Sequence, residues 1–214
     1  MKNCAGYVDQ FLGLNCSTDI LEVLRPITSG FSKEISEAMT IFKRMKWVVS
    51  KPNQYNLLEM CAGNPITSAL CAFVLPLTNT ISVDLHKVNR DYTKFRKFHY
   101  VEQNIFKDEI FNLVDENTIL VGVHACNDLS KRIIEIYLKS PAKHLYLMPC
   151  CHPNVVKPKR FIFLDSQIGS YKTWCFHLAE LCNGSIDQDV KCLSGKNIVV
   201  QAHKDNLEIL ETND

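Results

Sequence analysis

The residues Leu57-Leu58-Glu59-Met60-Cys61-Ala62-Gly63-Asn64-Pro65 read as a strand turning tightly into a helix, and the turn carries groups able to hold a ligand. In an open α/β sheet, ligands lie beyond the carboxyl ends of the strands near the point where strand order reverses. Gly63 lets a ligand approach the backbone closely, and Glu59 is placed to attract a cationic amino group. Of a GxGxxG pattern only Gly63 is present, so the glycines that admit a pyrophosphate are missing and a dinucleotide such as NAD is disfavoured. Asp84 follows Gly63 by about 20 residues, the spacing at which an acidic side chain meets ribose hydroxyls in such sheets. Leu85 can flank an adenine ring, and Gln103, Asn104 and Ile105 bring an amide toward its exocyclic amine. Each of these also has a plainer reading, an acidic residue at a strand end being often a helix cap.

A second group lies further along. His124 and Asp128 sit in Val121-Gly122-Val123-His124-Ala125-Cys126-Asn127-Asp128-Leu129-Ser130, at the end of another apolar run. There His124 can serve as a general base, or simply hydrogen-bond the backbone. Cys126, Cys150, Cys151 and His152 follow two strand ends that a doubly wound sheet places side by side. Converging thiolates and an imidazole can ligate zinc or supply a nucleophile, but adjacent cysteines are awkward ligands and packing is the alternative, so no metal is expected. Lys157, Lys159 and Arg160 form a basic trio that can contact phosphates, joined by Lys131 and Arg132. Arg90, Lys94, Arg96 and Lys97 read as a solvated helix face.

These residues must be positioned by alternating strands and helices. Strands are expected at 56–60, 80–84, 99–103, 119–124 and 144–148, with helices at 65–75, 88–97, 107–114 and 129–138 between them. Pro65 suits the first position of its helix. An irregular stretch over 153–169 precedes a helix bearing Tyr171, Trp174, Cys175, Leu178 and Leu181 on one face, and 185–193 with 198–203 read as a hairpin about Ser194-Gly195-Lys196-Asn197. Residues 1–54 form a helical extension in which Ser32 is a plausible N-cap and Ile35, Met39, Phe42, Met45 and Val49 recur at helical spacing; residues 55–214 form the ligand-binding domain.

Composition narrows the class. The chain has 214 residues, is 46% hydrophobic and 22% charged, and carries a formal net charge of +1, so no global field draws in nucleic acid. The longest apolar run, 70–77, is interrupted by Pro76 and is too short to span a bilayer. No apolar segment behind Lys2 reads as a signal peptide, which predicts a cytoplasmic address. The 10 cysteines contain no CxxC pair and fall mostly in periodic apolar segments, so they are expected to be free thiols.

The turn at Glu59–Asn64, the Val83-Asp84-Leu85 strand end, the His124–Ser130 stretch and Met148-Pro149-Cys150-Cys151-His152 together resemble the class I methyltransferases. They are similar, more narrowly, to a subgroup with a His-x-Cys-Gly-Asp-Leu motif after strand four and a Cys-Cys-His motif after strand five, which includes a tRNA ribose 2′-O-methyltransferase and the methyltransferase-like protein 25 group. Here Cys61 replaces the first glycine of the usual loop and Asn127 the glycine of the second motif. The resemblance implies a doubly wound α/β, Rossmann-like sheet, mostly parallel and closed by a C-terminal antiparallel hairpin. It implies S-adenosylmethionine as cofactor, held by Glu59, Cys61, Ala62, Gly63, Asn64, Asp84, Leu85, Gln103, Asn104, Ile105, His124 and Ala125, with His124 and Asp128 near the acceptor. The acceptor it suggests is RNA, tRNA or rRNA, ahead of protein; the alternative is a catalytically silent methyltransferase-like scaffold domain.

Overall fold

The computed structural model describes residues 6–24, 30–86, 88–150 and 159–204. Seven strands form one sheet in the order β3-β2-β1-β4-β5-β7-β6. They are β1 (Asn56–Met60), β2 (Asn79–Asp84), β3 (Phe98–Glu102), β4 (Thr118–Val123), β5 (His144–Met148), β6 (Ser185–Gln188) and β7 (Ile198–His203). The first five run parallel, and β7 pairs antiparallel with both β5 and β6. The doubly wound sheet with its antiparallel hairpin is therefore present. β4 and β5 lie mid-sheet and are buried almost throughout, which is why Thr118–Val123 and His144–Met148 read as continuous apolar runs without alternation.

Side chains on these strands divide by parity between two layers. Leu57, Ile119, Val121, Tyr146 and Met148 pack under α1 (Tyr7–Leu12), α2 (Ser17–Leu24), α3 (Phe31–Val48) and α4 (Ile66–Val74). Leu58, Met60, Leu120, Leu145 and Leu147 face the other way, under α5 (Asp128–Lys139) and α7 (Ser170–Leu181). Gly122 keeps β4 and α5 close, since a Cβ there would lie 2.6 Å from Ile133 Cδ1. The N-terminal helices are also tied to the hairpin: Tyr7 donates to Asp189 at 2.7 Å, and Arg44 pairs with Asp189 at 3.1 Å and with Asp187.

Five expectations need correction. Residues 88–97 are turns rather than a helix. Asp91 accepts from the Thr93 amide at 3.0 Å, and Tyr92, Phe95, Phe98 and Tyr100 form a ring cluster against Phe73 in which Tyr92 and Tyr100 stack at 5.3 Å. Packing four aromatic rings outweighs a modest helix preference. Residues 159–168, read as irregular, form α6 (Lys159–Ile168), which lies against α7 through Phe161 and His177, 5.3 Å between ring centroids, and is separated from it by Gly169 at φ 81. β6 ends at Gln188 rather than at 193, because Asp189 is drawn to Tyr7 and Arg44. The 107–114 segment is a single 3₁₀ helix, Asp108–Leu113, and α3 begins after Gly30 rather than at a Ser32 cap. Among the described residues no helix is long and apolar enough to cross a membrane.

Candidate functional site

Where β1 ends, the chain reverses through Cys61 at φ 57 and Gly63 at φ 48. The turn is held from several sides. The Ala62 amide donates to Val83 O at 3.1 Å, the Gly63 amide donates to Asp84 Oδ2 at 2.9 Å, and Tyr100 Oη donates to Gly63 O at 3.0 Å. Asn64 donates from Nδ2 to Glu34 Oε2 at 2.9 Å and accepts from Arg90. Asp84 Oδ1 also accepts from the His86 amide at 3.2 Å, so this carboxylate already faces backbone N–H donors.

Beside the turn lies a cavity of ≈ 210 Å³ lined by Glu34, Glu37, Glu59, Cys61, Ala62, Gly63, Asn64, Ile66, Thr67, Val123 and His124. Small-molecule sites usually span about 300–1,000 Å³, so this cavity accommodates one end of a nucleoside-sized ligand, with Asp84 at its border. Three carboxyl groups against one imidazole make it a place for positive charge. Glu59 is buried and accepts from the Ser68 amide at 3.1 Å and from the Ser68 hydroxyl. Burial pushes its carboxyl up to about 7, the bonds from Ser68 and Thr67 offsetting only part of that rise. Burial likewise pushes the Cys61 thiol up to about 12, with Asp84 and Glu59 adding to the effect, so Cys61 is no thiolate at neutral pH.

His124 sits at the end of β4 with φ 58, its amide donating to Met148 O at 2.8 Å. Its Nε2 lies 2.6 Å from Glu37 Oε2, and Glu37 is 1% exposed while the His124 side chain keeps 28%. The N–H direction falls outside hydrogen-bond geometry, so the two groups are in close polar contact, and Nε2 and Glu37 Oε1 are buried without a hydrogen-bond partner. Lys33, half exposed, is 3.7 Å from Glu37 Oε1.

Of the residues singled out from sequence, Glu59, Cys61, Ala62, Gly63, Asn64 and His124 meet at this cavity, with Asp84 bonded to its rim. The others lie apart from its lining. Leu85 is 54% exposed just past β2. Asn104 Oδ1 caps the Phe106 amide at 2.9 Å, and Ile105 is buried with its carbonyl accepting from Arg132 Nε at 2.8 Å. Gln103 donates its amide to Asp84 O at 2.9 Å and leaves Nε2 buried without a hydrogen-bond partner. Ala125 is buried, its carbonyl accepting from Ser130, and Asp128 is exposed in the first turn of α5. Glu34 and Glu37 were not singled out; the signal was two acids three apart in α3, whose residues 35–42 are all buried.

The free-thiol expectation is corrected for one pair. Cys126 and Cys150 are joined as a disulfide, Cα–Cα 5.8 Å, because β4 and β5 are neighbours with Val123 opposite Met148. Cys16, Cys61, Cys71, Cys175, Cys182 and Cys192 are free. Cys151, His152 and Lys157 lie outside the described residues, and no group of three metal-ligating side chains occurs among those described. Several of the basic residues are engaged elsewhere. Lys94 pairs with Glu22 at 2.6 Å, Arg132 with Glu135 at 2.9 Å, and Lys97 donates to Asn53 at 3.1 Å. Lys159 and Arg160 open α6.

Residues 32–158 match a family described as a methyltransferase domain. A search of the curated proteins finds no match. Among solved structures, the chain is similar to the CurJ carbon methyltransferase (TM-score 0.54, 12% identity), over 88% of this chain and 58% of that one. It is also similar to a putative caffeoyl-CoA O-methyltransferase from Staphylococcus aureus (TM-score 0.52, 13% identity), over 92% of this chain and 96% of that one. The chain thus spans little more than half the length of the first, and at these identities the likeness is one of fold.

Proposed function

The chain belongs to the methyltransferase domain family, and from that footing we propose that it binds S-adenosylmethionine across the ends of β1 and β2 and transfers its methyl group. The observation that carries this reading is the acidic cavity beside the Gly63 turn, with Asp84 at its rim. When bound, the cofactor supplies a methyl group on a cationic sulfur. The residues present suit it: Glu34, Glu37 and Glu59 favour its cationic amino-acid end, the Cys61–Asn64 backbone leaves room for close approach, and Asp84, bonded to the Gly63 amide at the rim, is the group for the ribose hydroxyls. Leu85, exposed beside Asp84, and Gln103, with a buried donor lacking a partner, are the groups for an adenine ring, with Asn104, Ile105 and Ala125 completing that end. His124 stands nearest the acceptor and Asp128 further out.

The acceptor we favour is RNA, on the resemblance to a tRNA ribose methyltransferase and the basic residues Lys157, Lys159 and Arg160 beyond β5. Isothermal titration with S-adenosylmethionine tests the cofactor reading. The parent protein binds, and Asp84→Ala weakens binding by about 1–3 kcal/mol as the charge-assisted sugar bonds are lost. No binding heat in the parent would leave the silent-scaffold alternative.

A further inference from the structure

Resting on the methyltransferase reading, we infer that Glu37 on α3 positions His124 as the proton acceptor for a substrate hydroxyl, so that the group methylated is an alcohol or phenol oxygen. A carboxylate at 1% exposure is costly to bury unless it has a charged or hydrogen-bonding partner. Lys33 is 3.7 Å away and half exposed, which offsets little of that cost. The close partner is His124 Nε2 at 2.6 Å. Asp128, by contrast, is exposed at the start of α5 and stands outside the cavity.

Held this way, the carboxylate keeps the proton on Nε2 and the lone pair on Nδ1, as a buried acid does for imidazole in hydrolytic triads. Nε2 is buried against Glu37, so the 28% of the His124 side chain still exposed belongs to its other atoms, and the residue lines the cavity. The backbone here is also fixed. The His124 amide is bonded to Met148 O, and Cys126 and Cys150 flank the His124 carbonyl at 3.3 and 3.5 Å. Among the described residues, the other titratable or charged groups about this histidine's cavity are Glu34 on α3, Glu59 on β1, Cys61 in the turn and Lys33 behind Glu37.

The pair suits an acceptor that must lose a proton as it attacks, as an alcohol or phenol oxygen does, whereas a carboxylate or an unprotonated ring nitrogen needs no base. In the balanced step the hydroxyl oxygen forms a bond to the methyl carbon as the carbon–sulfur bond breaks, its electron pair remaining on sulfur. The hydroxyl proton passes to His124 Nδ1. The products are a methyl ether, a neutral thioether and an imidazolium whose charge Glu37 balances.

Two measurements on the full chain test this. Proton and nitrogen-15 NMR should show a downfield His124 Nε2–H resonance in the parent, assigned by its loss in His124→Ala and abolished in the near-isosteric Glu37→Gln. A parent in which Nδ1 carries the proton, or a resonance that survives Glu37→Gln, would overturn the pairing whatever the protein catalyses. Labelled methyl transfer from S-adenosylmethionine into cell extract, followed by hydrolysis and identification of the methylated group, should yield methyl ethers. Glu37→Gln should cut that transfer about 100-fold at saturating S-adenosylmethionine. Label in methylamines or thioethers, or an unchanged rate, overturns the acceptor class. Absence of cofactor binding in the parent refutes instead the methyltransferase reading on which that class rests, and the NMR result then decides the pairing by itself.

Discussion

Replacing Glu59 by Gln isolates the electrostatic cost of the cavity floor. In the folded chain burial raises this carboxyl from 4.5 to about 7, whereas the unfolded chain releases the proton near the ordinary value. At about 1.4 kcal/mol per tenfold change in protonation, the fold prefers the neutral acid by about 3 kcal/mol. Between pH 4.5 and 7 the folded state holds a proton that the unfolded state has lost, so this group's contribution to stability falls as pH rises through that window and levels off above about 7. Glutamine is neutral at every pH, and its amide oxygen can still accept from the Ser68 amide that now bonds Glu59. Urea unfolding of parent and Glu59→Gln from pH 4.5 to 8 checks the reasoning, because the difference at each pH removes the contribution of distant titrating groups. The two should converge near pH 4.5 and diverge until the variant is more stable by about 3 kcal/mol at pH 8. A stability difference that stays constant across that range would show that Glu59 is ionised in the fold and refute the account of burial. The same variant should bind S-adenosylmethionine more weakly at pH 8, where the parent's carboxylate can answer the cofactor's positive charge.

Asn127 occupies φ 52, ψ −119 in a turn closed by the Leu129 amide donating to Cys126 O at 3.0 Å. That conformation is the first central position of a type II′ turn, which glycine adopts freely, so Asn127→Gly should raise the unfolding free energy by about 1 kcal/mol in a denaturant titration; a loss of stability would mean that the side chain contributes more than the backbone strain costs. Gly184 lies where a Cβ would come within 2.6 Å of the Gln201 backbone oxygen, so Gly184→Ala should destabilise the hairpin by about 1–3 kcal/mol, read as a lowered urea midpoint. Peptide mapping of the alkylated, unreduced protein should recover Cys126 joined to Cys150 and alkylated Cys16, Cys61, Cys71, Cys175, Cys182 and Cys192 once unfolded; alkylation of Cys126 or Cys150 would contradict the pairing.

Much of this molecule is local, and local features are legible in a sequence. The apolar runs of the five parallel strands, the turn at Gly63, the acid at the end of β2 and the Gly-containing connection before β7 follow from periodicity and turn chemistry, and each lies within a residue or two of its expected place. The layers follow as well, because residues of alternate parity on β1, β4 and β5 require apolar cover on both faces. Where local pattern and packing disagreed, packing prevailed: 88–97 gave up a helix to place Tyr92 and Phe95 on the β3 edge, and β6 stopped where Asp189 found Arg44. The chemistry of the candidate site was settled at still longer range. Glu37 and His124 lie 87 positions apart and meet only because α3 covers the layer above β4. Nothing in either residue's neighbours specifies that meeting, for a polar contact is decided by distance in space, and such distances are fixed only when helices and sheet close around one core.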